Sequence, residues 1–372
     1  MVDLRAQYEK LGSEIDAAIS NVLLSTAFIR GPEVGILERE LQKYLDVGYV
    51  VTCANGTDAL QISMMALGLK PGDEVITTNF TFIATVEVVV LLGLKLVLVD
   101  PDPYTYNIST DAVRKAITPK TKAIVPVHLF GQCADMEGIM KLAGDYGLYI
   151  IEDAAQATGA EYIFSDGSRK KAGTIGTAGT TSFFPSKNLG CYGDGGALFT
   201  NDEAAAGKMR SIANHGMKIK YHHDDIGINS RLDTIQAAIL NVKLRYLDKF
   251  NEARSSVAGF YDKALSGCDS LILPARSSFS THIFHQYTVR VKDGKRDSLK
   301  KFLEAEGIPS MVYYPGPLHV QNAYRHLGYS EGDFPVTRQL CSEVLSLPMH
   351  PDMEQDQLDH IAVNILKFFD KQ

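Results

Sequence analysis

One lysine, Lys187, stands in the stretch Ser182–Asn201, SFFPSKNLGCYGDGGALFTN, between two apolar runs and beside Gly190, Gly193, Gly195 and Gly196. A lysine that only solvates a loop needs no such setting. One that meets a flat partner does, because glycines leave room and apolar flanks exclude water. Desolvation lowers a lysine pKa and favours the neutral amine that forms a Schiff base with a carbonyl. Two further features fit the same chemistry. Asp153 ends the apolar run LYIIED, where a buried carboxylate requires a cation or several donors. It reads either as a strand-end cap or as the partner of a protonated ring nitrogen. Gly56 and Thr57, in NGTDAL, fall at the predicted start of a helix. There the free N–H groups and the positive dipole end make a phosphate seat, while Asn55 or Thr57 would also serve as a plain cap. A phosphate seat, an acid and a reactive lysine are together what pyridoxal 5'-phosphate requires, since the acid keeps the ring nitrogen protonated and the ring able to accept electrons. Gln156, three residues after Asp153, would donate to an oxygen of the same ligand, and Ser182 and Ser186 offer hydroxyls near Lys187. Phe82, in NFTFIAT, is a candidate to stack on the ring, although its spacing is that of a core aromatic.

These residues need a scaffold that brings distant loops together. From about residue 50 to 201, the runs VVTCA, EVITT, KLVLVD, AIVPVHLFG, LYIIED, TTSFF and GALFTN read as strands. Helical patterns such as TDALQISMMALG and MEGIMKLAGDYG lie between the earlier ones. Strands with little internal polarity that alternate with helices imply a mostly parallel sheet covered on both faces. Ligands of such sheets sit at the carboxyl ends of the strands, which is where Gly56, Asp153 and Lys187 fall. One long helix is expected from about Asp233 to Leu265. After Pro274 the order becomes strand HQYTVRV, helix RDSLKKFLEAEG, strand MVYYP and terminal helices. The expected class is α/β, with a large domain over 1–250, including an N-terminal helical segment, and a smaller α+β domain over 251–372.

The chain has 372 residues, 45% hydrophobic and 22% charged, which is ordinary globular composition. A net charge of −7 argues against a general nucleic-acid binder. The longest apolar run, VVVLLGL, is too short to span a bilayer, and the charged start has no signal-peptide core. Five scattered cysteines show no metal spacing and suit a reduced, cytoplasmic protein. No dinucleotide or P-loop glycine motif follows a strand, and no metal site is expected.

At these residues the chain resembles the DegT/DnrJ/EryC1/StrS family of nucleotide-sugar aminotransferases, pyridoxal-phosphate enzymes of fold type I. The matching segments are FIRGPEVGILERELQKYL, NGTDALQ, TFIATVEVV, IEDAAQATGA, SFFPSKNLGCYGDGGALFTN and IGINSRLDTIQAAIL, in the family's order and across most of the chain. The resemblance implies that Lys187 is the Schiff-base lysine, that Asp153 is the partner of the pyridine nitrogen and that Gln156 contacts the ring oxygen. It implies that Gly56, Thr57 and Ser182 hold the phosphate. It also implies a homodimer with shared active sites, in which Asn229 of GINSRLD reaches the phosphate bound by the other subunit.

FFPSKNLG and NSRLDTIQAA look like members acting at C3 of the sugar. The strongest likeness is to enzymes that aminate UDP-2-acetamido-2-deoxy-3-oxo-glucuronate with L-glutamate, for surface polysaccharide such as lipopolysaccharide. In that group Arg231 would face the uronate carboxylate. MVYYPGPL departs from those relatives, which carry a His-Tyr pair where this chain has Tyr313 and Tyr314. A tyrosine donates a hydrogen bond but brings no positive charge. The alternatives are a neutral dTDP- or UDP-linked 3- or 4-keto sugar as acceptor, a sugar dehydratase, and a regulatory relative without activity. In the related dehydratases a histidine replaces the lysine. Regulatory relatives are expected to lack the lysine or the aspartate, and both are present.

Overall fold

The structure is a computed structural model and describes residues 1–370. Seven strands form its central sheet: β1 (Tyr49–Cys53), β2 (Glu74–Thr78), β3 (Lys95–Val99), β4 (Thr121–Val125), β5 (Tyr149–Asp153), β6 (Ala178–Ser182) and β7 (Gly196–Thr200). All seven expected strands are present, and their order across the sheet is β1-β7-β6-β5-β4-β2-β3. Only β7 runs against the others: it is antiparallel to both β1 and β6, whereas β6, β5, β4, β2 and β3 pair in parallel. Buried apolar side chains cover both faces of the sheet, including Ile76, Ile124 and Ile150 on one and Val75, Val125 and Ile151 on the other. Full burial of a side chain of this size contributes ~1.5–3 kcal/mol, so the two packed layers are what make the near-continuous apolar strands stable.

A second sheet is built from β8 (Leu271–Ile272), β9 (Tyr287–Val291) and β10 (Val344–Leu347), all antiparallel. Its core takes Val257, Ala258, Tyr261 and Leu265 from helix Leu247–Leu265, and Leu358, Ile361 and Ile365 from the last helix, Gln355–Asp370. Among the described residues, no helix is long and apolar enough to cross a membrane.

Three expectations differ from the structure. The long helix over 233–265 is two helices, Thr234–Leu244 and Leu247–Leu265. At the break, Tyr246 has φ −109 and ψ −2. Arg245 and Tyr246 both bond the carboxylate of Glu14, at 2.5 and 2.6 Å, which turns the chain towards the N-terminal helix Leu4–Ser25. MVYYP is not a strand: Met311 alone pairs with Ser346, after which the chain leaves the sheet and carries Tyr313 and Tyr314 to the cavity described below. The third strand of the small sheet is instead β10, from the short run VLSL before Pro348.

Candidate active site

The chain following each of β1, β2, β4, β5 and β6 opens into one cavity of about 430 Å3. From β1 come Asn55, Gly56 and Thr57, where helix Gly56–Ala66 begins. The Asn55 side chain accepts from Asp58 N at 2.8 Å, so the cap reading of this segment holds. That bond satisfies one orphan amide, and a helix start leaves others free. Gly56 is required by close approach: a Cβ there would stand 2.7 Å from the Cβ of Ser182. Gly196, at the start of β7, is equally tight, 2.5 Å from the Asn55 carbonyl. The ends of β1, β6 and β7 therefore meet without side chains between them.

Asp153 is the last residue of β5 and is 6% exposed. Its backbone bonds Pro126 O and His128 N, at 2.9 and 3.0 Å. Its carboxylate accepts from Thr85 Oγ1 at 2.8 Å and from Ala155 N at 3.2 Å. Gln156 is also buried. Its Oε1 accepts from Phe130 N at 2.8 Å, which fixes the amide and turns Nε2 to donate to the Tyr314 hydroxyl at 3.1 Å.

Lys187 opens onto the same cavity as Asp153. Burial lowers its amine to about 8, against a smaller opposing pull from Asp153. The neighbouring glycines were expected to leave room for a partner. Three of the four instead allow close packing: a Cβ at Gly190 would strike the Pro185 carbonyl of the same loop at 2.4 Å, one at Gly195 would lie 2.9 Å from the Leu232 side chain, and Gly196 is the contact with Asn55 described above. Lys243 of helix Thr234–Leu244 is fully buried, whereas Lys187 is half-buried at the cavity wall. Lys243 donates to Gly190 O at 2.8 Å and lies 4.2 Å from the Tyr192 ring centre, so it clamps the far side of the Lys187 loop.

Gly56, Thr57, Phe82, Asp153, Gln156, Ser182, Lys187, Tyr313 and Tyr314 are thus gathered around one space. Phe82 is 55% exposed and belongs to the cavity wall, not to the core its spacing suggested; its ring lies 6.4 Å from that of Tyr314. Tyr314 packs against Phe80 as well, and burial raises its phenol. Asn229 and Arg231 are not in this cavity. Arg231 lines a separate cleft of about 440 Å3 with Arg30, Arg39 and Arg210, and Asn229 is exposed and pairs with Asn214, which borders the same cleft. Arg231 has no ion pair among the described residues, and its Nε is buried without a partner. A larger cavity of about 640 Å3 lies between helices Leu4–Ser25, Pro32–Leu45 and Thr234–Leu244, but it joins no lysine to a buried acid and a helix start.

Residues absent from the sequence reading also reach the Lys187 cavity. Thr81 and Phe130 follow β2 and β4, while His285 and Gln286 arrive from the approach to β9. HQY was read only as part of a strand, and its periodicity carried no sign that its first residue faces a site 98 positions away from Lys187.

The DegT/DnrJ/EryC1/StrS aminotransferase family model matches residues 9–366. A "pleiotropic regulatory protein" of Geobacillus stearothermophilus is 47% identical over 99% of this chain and 98% of its own length. The UDP-2-acetamido-2-deoxy-3-oxo-D-glucuronate aminotransferase of Pseudomonas aeruginosa is 47% identical over 95% of each chain. The crystal structure of NtdA from Bacillus subtilis, with the cofactor PMP bound, superposes with a TM-score of 0.89 at 32% identity, covering 98% of this chain and 82% of that one.

Proposed function

The chain belongs to the DegT/DnrJ/EryC1/StrS aminotransferase family, and from that premise we propose that it moves the amino group of L-glutamate to a nucleotide-linked 3-keto sugar, with pyridoxal 5'-phosphate held in the Lys187 cavity. The observation that carries this reading is the convergence of Lys187, Asp153 and the start of helix Gly56–Ala66 on one space. The residues fit the cofactor. The Gly56–Ser182 contact brings a helix N-terminus and a hydroxyl to one point, where a phosphate gains both. Asp153 and Lys187 line the same cavity, one from the end of β5 and the other from the loop after β6.

Bound there, the cofactor supplies an electrophilic carbon and an electron sink. The chain supplies the rest. Gly56, Thr57 and Ser182 bind the phosphate. Asp153, itself held by Thr85, would keep a proton on the ring nitrogen, Gln156 would donate to the ring oxygen and Phe82 would pack on the ring. Lys187, whose amine burial brings down to about 8, would keep a minor neutral fraction near neutral pH that can act as a base. It would take up and return the proton of the amino donor's alpha carbon. Tyr313 and Tyr314, which line the same cavity, would contact the sugar.

We assign Asn229 and Arg231 to the site of a second copy, in a homodimer with shared sites. Both lie outside their own chain's cavity, and the Arg231 Nε lacks a partner. The exposed apolar residues Ile219, Tyr221 and Ile226 of the same segment offer a surface for that copy to cover. We place the domain boundary near residue 250, just after the break between the two helices.

The planar fork of Arg231 suits a carboxylate, which favours UDP-2-acetamido-2-deoxy-3-oxo-glucuronate as acceptor and a place in surface polysaccharide biosynthesis. Tyr313, which adds no positive charge, favours a neutral 3-keto sugar as the second reading. A purely regulatory role has no use for a desolvated Lys187 facing the same cavity as Asp153. The test begins with colour: purified protein loaded with cofactor should be yellow, and the band should bleach on adding L-glutamate. A panel of nucleotide-linked 3-keto and 4-keto sugars then restores it. A loaded protein that glutamate does not bleach would sink the proposal.

A further inference from the structure

Asn188 directly follows Lys187 and is buried. Its Nδ2 donates to Asn251 Oδ1 at 2.7 Å and to the Ile283 carbonyl at 3.3 Å. A backbone carbonyl can only accept, so the amide has one orientation. Asn251 is fixed the same way, by its bond to the Thr158 carbonyl at 3.3 Å. The Asn188 Oδ1 therefore faces His285 Nδ1, at 3.1 Å, as an acceptor. A neutral imidazole that donates through Nδ1 carries its lone pair on Nε2. The polarity of the series Thr158, Asn251, Asn188, His285 is thus set by backbone carbonyls, and it ends on a nitrogen that can only accept. Packing supports the far end: Gly159 has φ +98, and a Cβ there would lie 2.6 Å from Asn251 Nδ2.

His285 is 4% exposed and lines the cavity with Lys187. The charged groups that act on its ring are Lys187, from the loop, and Arg254, from helix Leu247–Leu265; both are cationic. Asp153 acts on Lys187. Burial, reinforced by the two cations, holds the imidazole well below its ordinary range, so it is neutral across working pH.

We propose that His285 is a positioning residue: its Nε2 accepts a hydrogen bond from the Lys187 amine whenever that amine is not joined to the cofactor, and so holds the lysine where it must carry a proton. The proposal rests on the role given to Lys187 above. No covalent bond forms at His285, and the proton stays on the lysine. Asn188 thereby serves both ends of one device, since it anchors the loop beside Lys187 and sets the tautomer of the ring that receives it.

The tautomer is tested in cofactor-free protein by nitrogen NMR of labelled histidine, with His285→Phe identifying the signal. The expected result is a proton on Nδ1, a bare Nε2, and no titration down to about pH 5.5. A proton on Nε2, or ordinary titration, overturns the proposal whether or not the chain transaminates. The second arm uses cofactor-loaded protein and the rate at which glutamate bleaches the visible band. His285→Phe should keep full cofactor occupancy and bind glutamate within about threefold, yet bleach roughly 10–100-fold more slowly. Asn188→Asp places a carboxylate beside the ring and raises its pKa. Its rate should gain a loss on the acid side that the wild type lacks, as Nε2 becomes a donor. Wild-type rates in both variants, or losses with an unchanged pH profile, overturn the proposal. A wild type that glutamate cannot bleach would instead fault the assignment of the whole site.

Discussion

Thr85 Oγ1 lies 2.8 Å from Asp153 Oδ2, so the acid at the end of β5 is held by the helix that follows β2. Hydrogen bonds to a charged group are worth ~1.5–3 kcal/mol. Thr85→Val should therefore slow single-turnover reaction with glutamate by roughly tenfold while leaving the fold intact. Asp153→Asn removes the charge itself and should slow the same step by ~100-fold or more. Equal rates in wild type and Asp153→Asn would leave the carboxylate a structural cap.

Lys187→Ala should end turnover and the covalent attachment of cofactor. Mass spectrometry after borohydride reduction reads this directly, since the cofactor's mass should stay on the wild-type chain and be absent from the variant. The fold should survive, and cofactor should still bind without a covalent bond through the phosphate seat. Near-normal transamination in this variant would refute the central assignment.

The buried amine also makes stability depend on pH. In cofactor-free protein Lys187 loses its proton near pH 8, whereas the unfolded chain keeps it until about 10.4. Between these values the unfolded state binds more protons, so this group's contribution to stability rises with pH. Below pH 8 its penalty is fully present. Lys187→Met should accordingly raise Tm at pH 7, and the difference should shrink towards pH 10, as calorimetry would show. Cofactor capture needs the neutral amine, so its rate should climb about tenfold per pH unit below 8 and then level. A Lys187→Met difference that stays constant with pH would mean the amine is not desolvated.

Mixing tests the shared site. Lys187→Ala chains and Arg231→Ala chains, each weakly active or inactive alone, are combined and allowed to exchange. With shared sites, a mixed dimer holds one doubly damaged site and one intact site, so activity returns. If each chain builds its own site, no activity returns. Arg231→Ala should also raise KM for a uronic-acid substrate more than for its neutral analogue. Equal losses would remove the carboxylate from Arg231.

The seven strands were legible because each is a short, nearly uninterrupted apolar run, and the place of the cavity was legible because Asp153 and Lys187 follow such runs. What escaped depended on contacts between distant segments. The Arg245–Tyr246 break contains neither proline nor glycine, and apolar periodicity continues across it; only Glu14, over 200 positions away, bends the chain. Thr85, Asn188 and His285 gain meaning from the partners they meet in space, and their residue types alone announce nothing. The glycines around Lys187 were noticed for the right place and the wrong reason, as the backbone approaches at Gly190 and Gly196 show.

The reversed strand β7 bears on how the chain comes off the ribosome. β1 is joined to the sheet only through β7, with Val51 opposite Leu198. Synthesis at ~5–20 residues per second leaves β1 without its neighbour for ~10 s or more, exposing an apolar edge meanwhile. Until β7 arrives, the turn from β1 into helix Gly56–Ala66 lacks the close backbone contact that Gly196 makes with Asn55. The β1 wall of the Lys187 cavity is therefore completed only after residue 200 is made, and nascent chains that stop before residue 196 should be clients for chaperones.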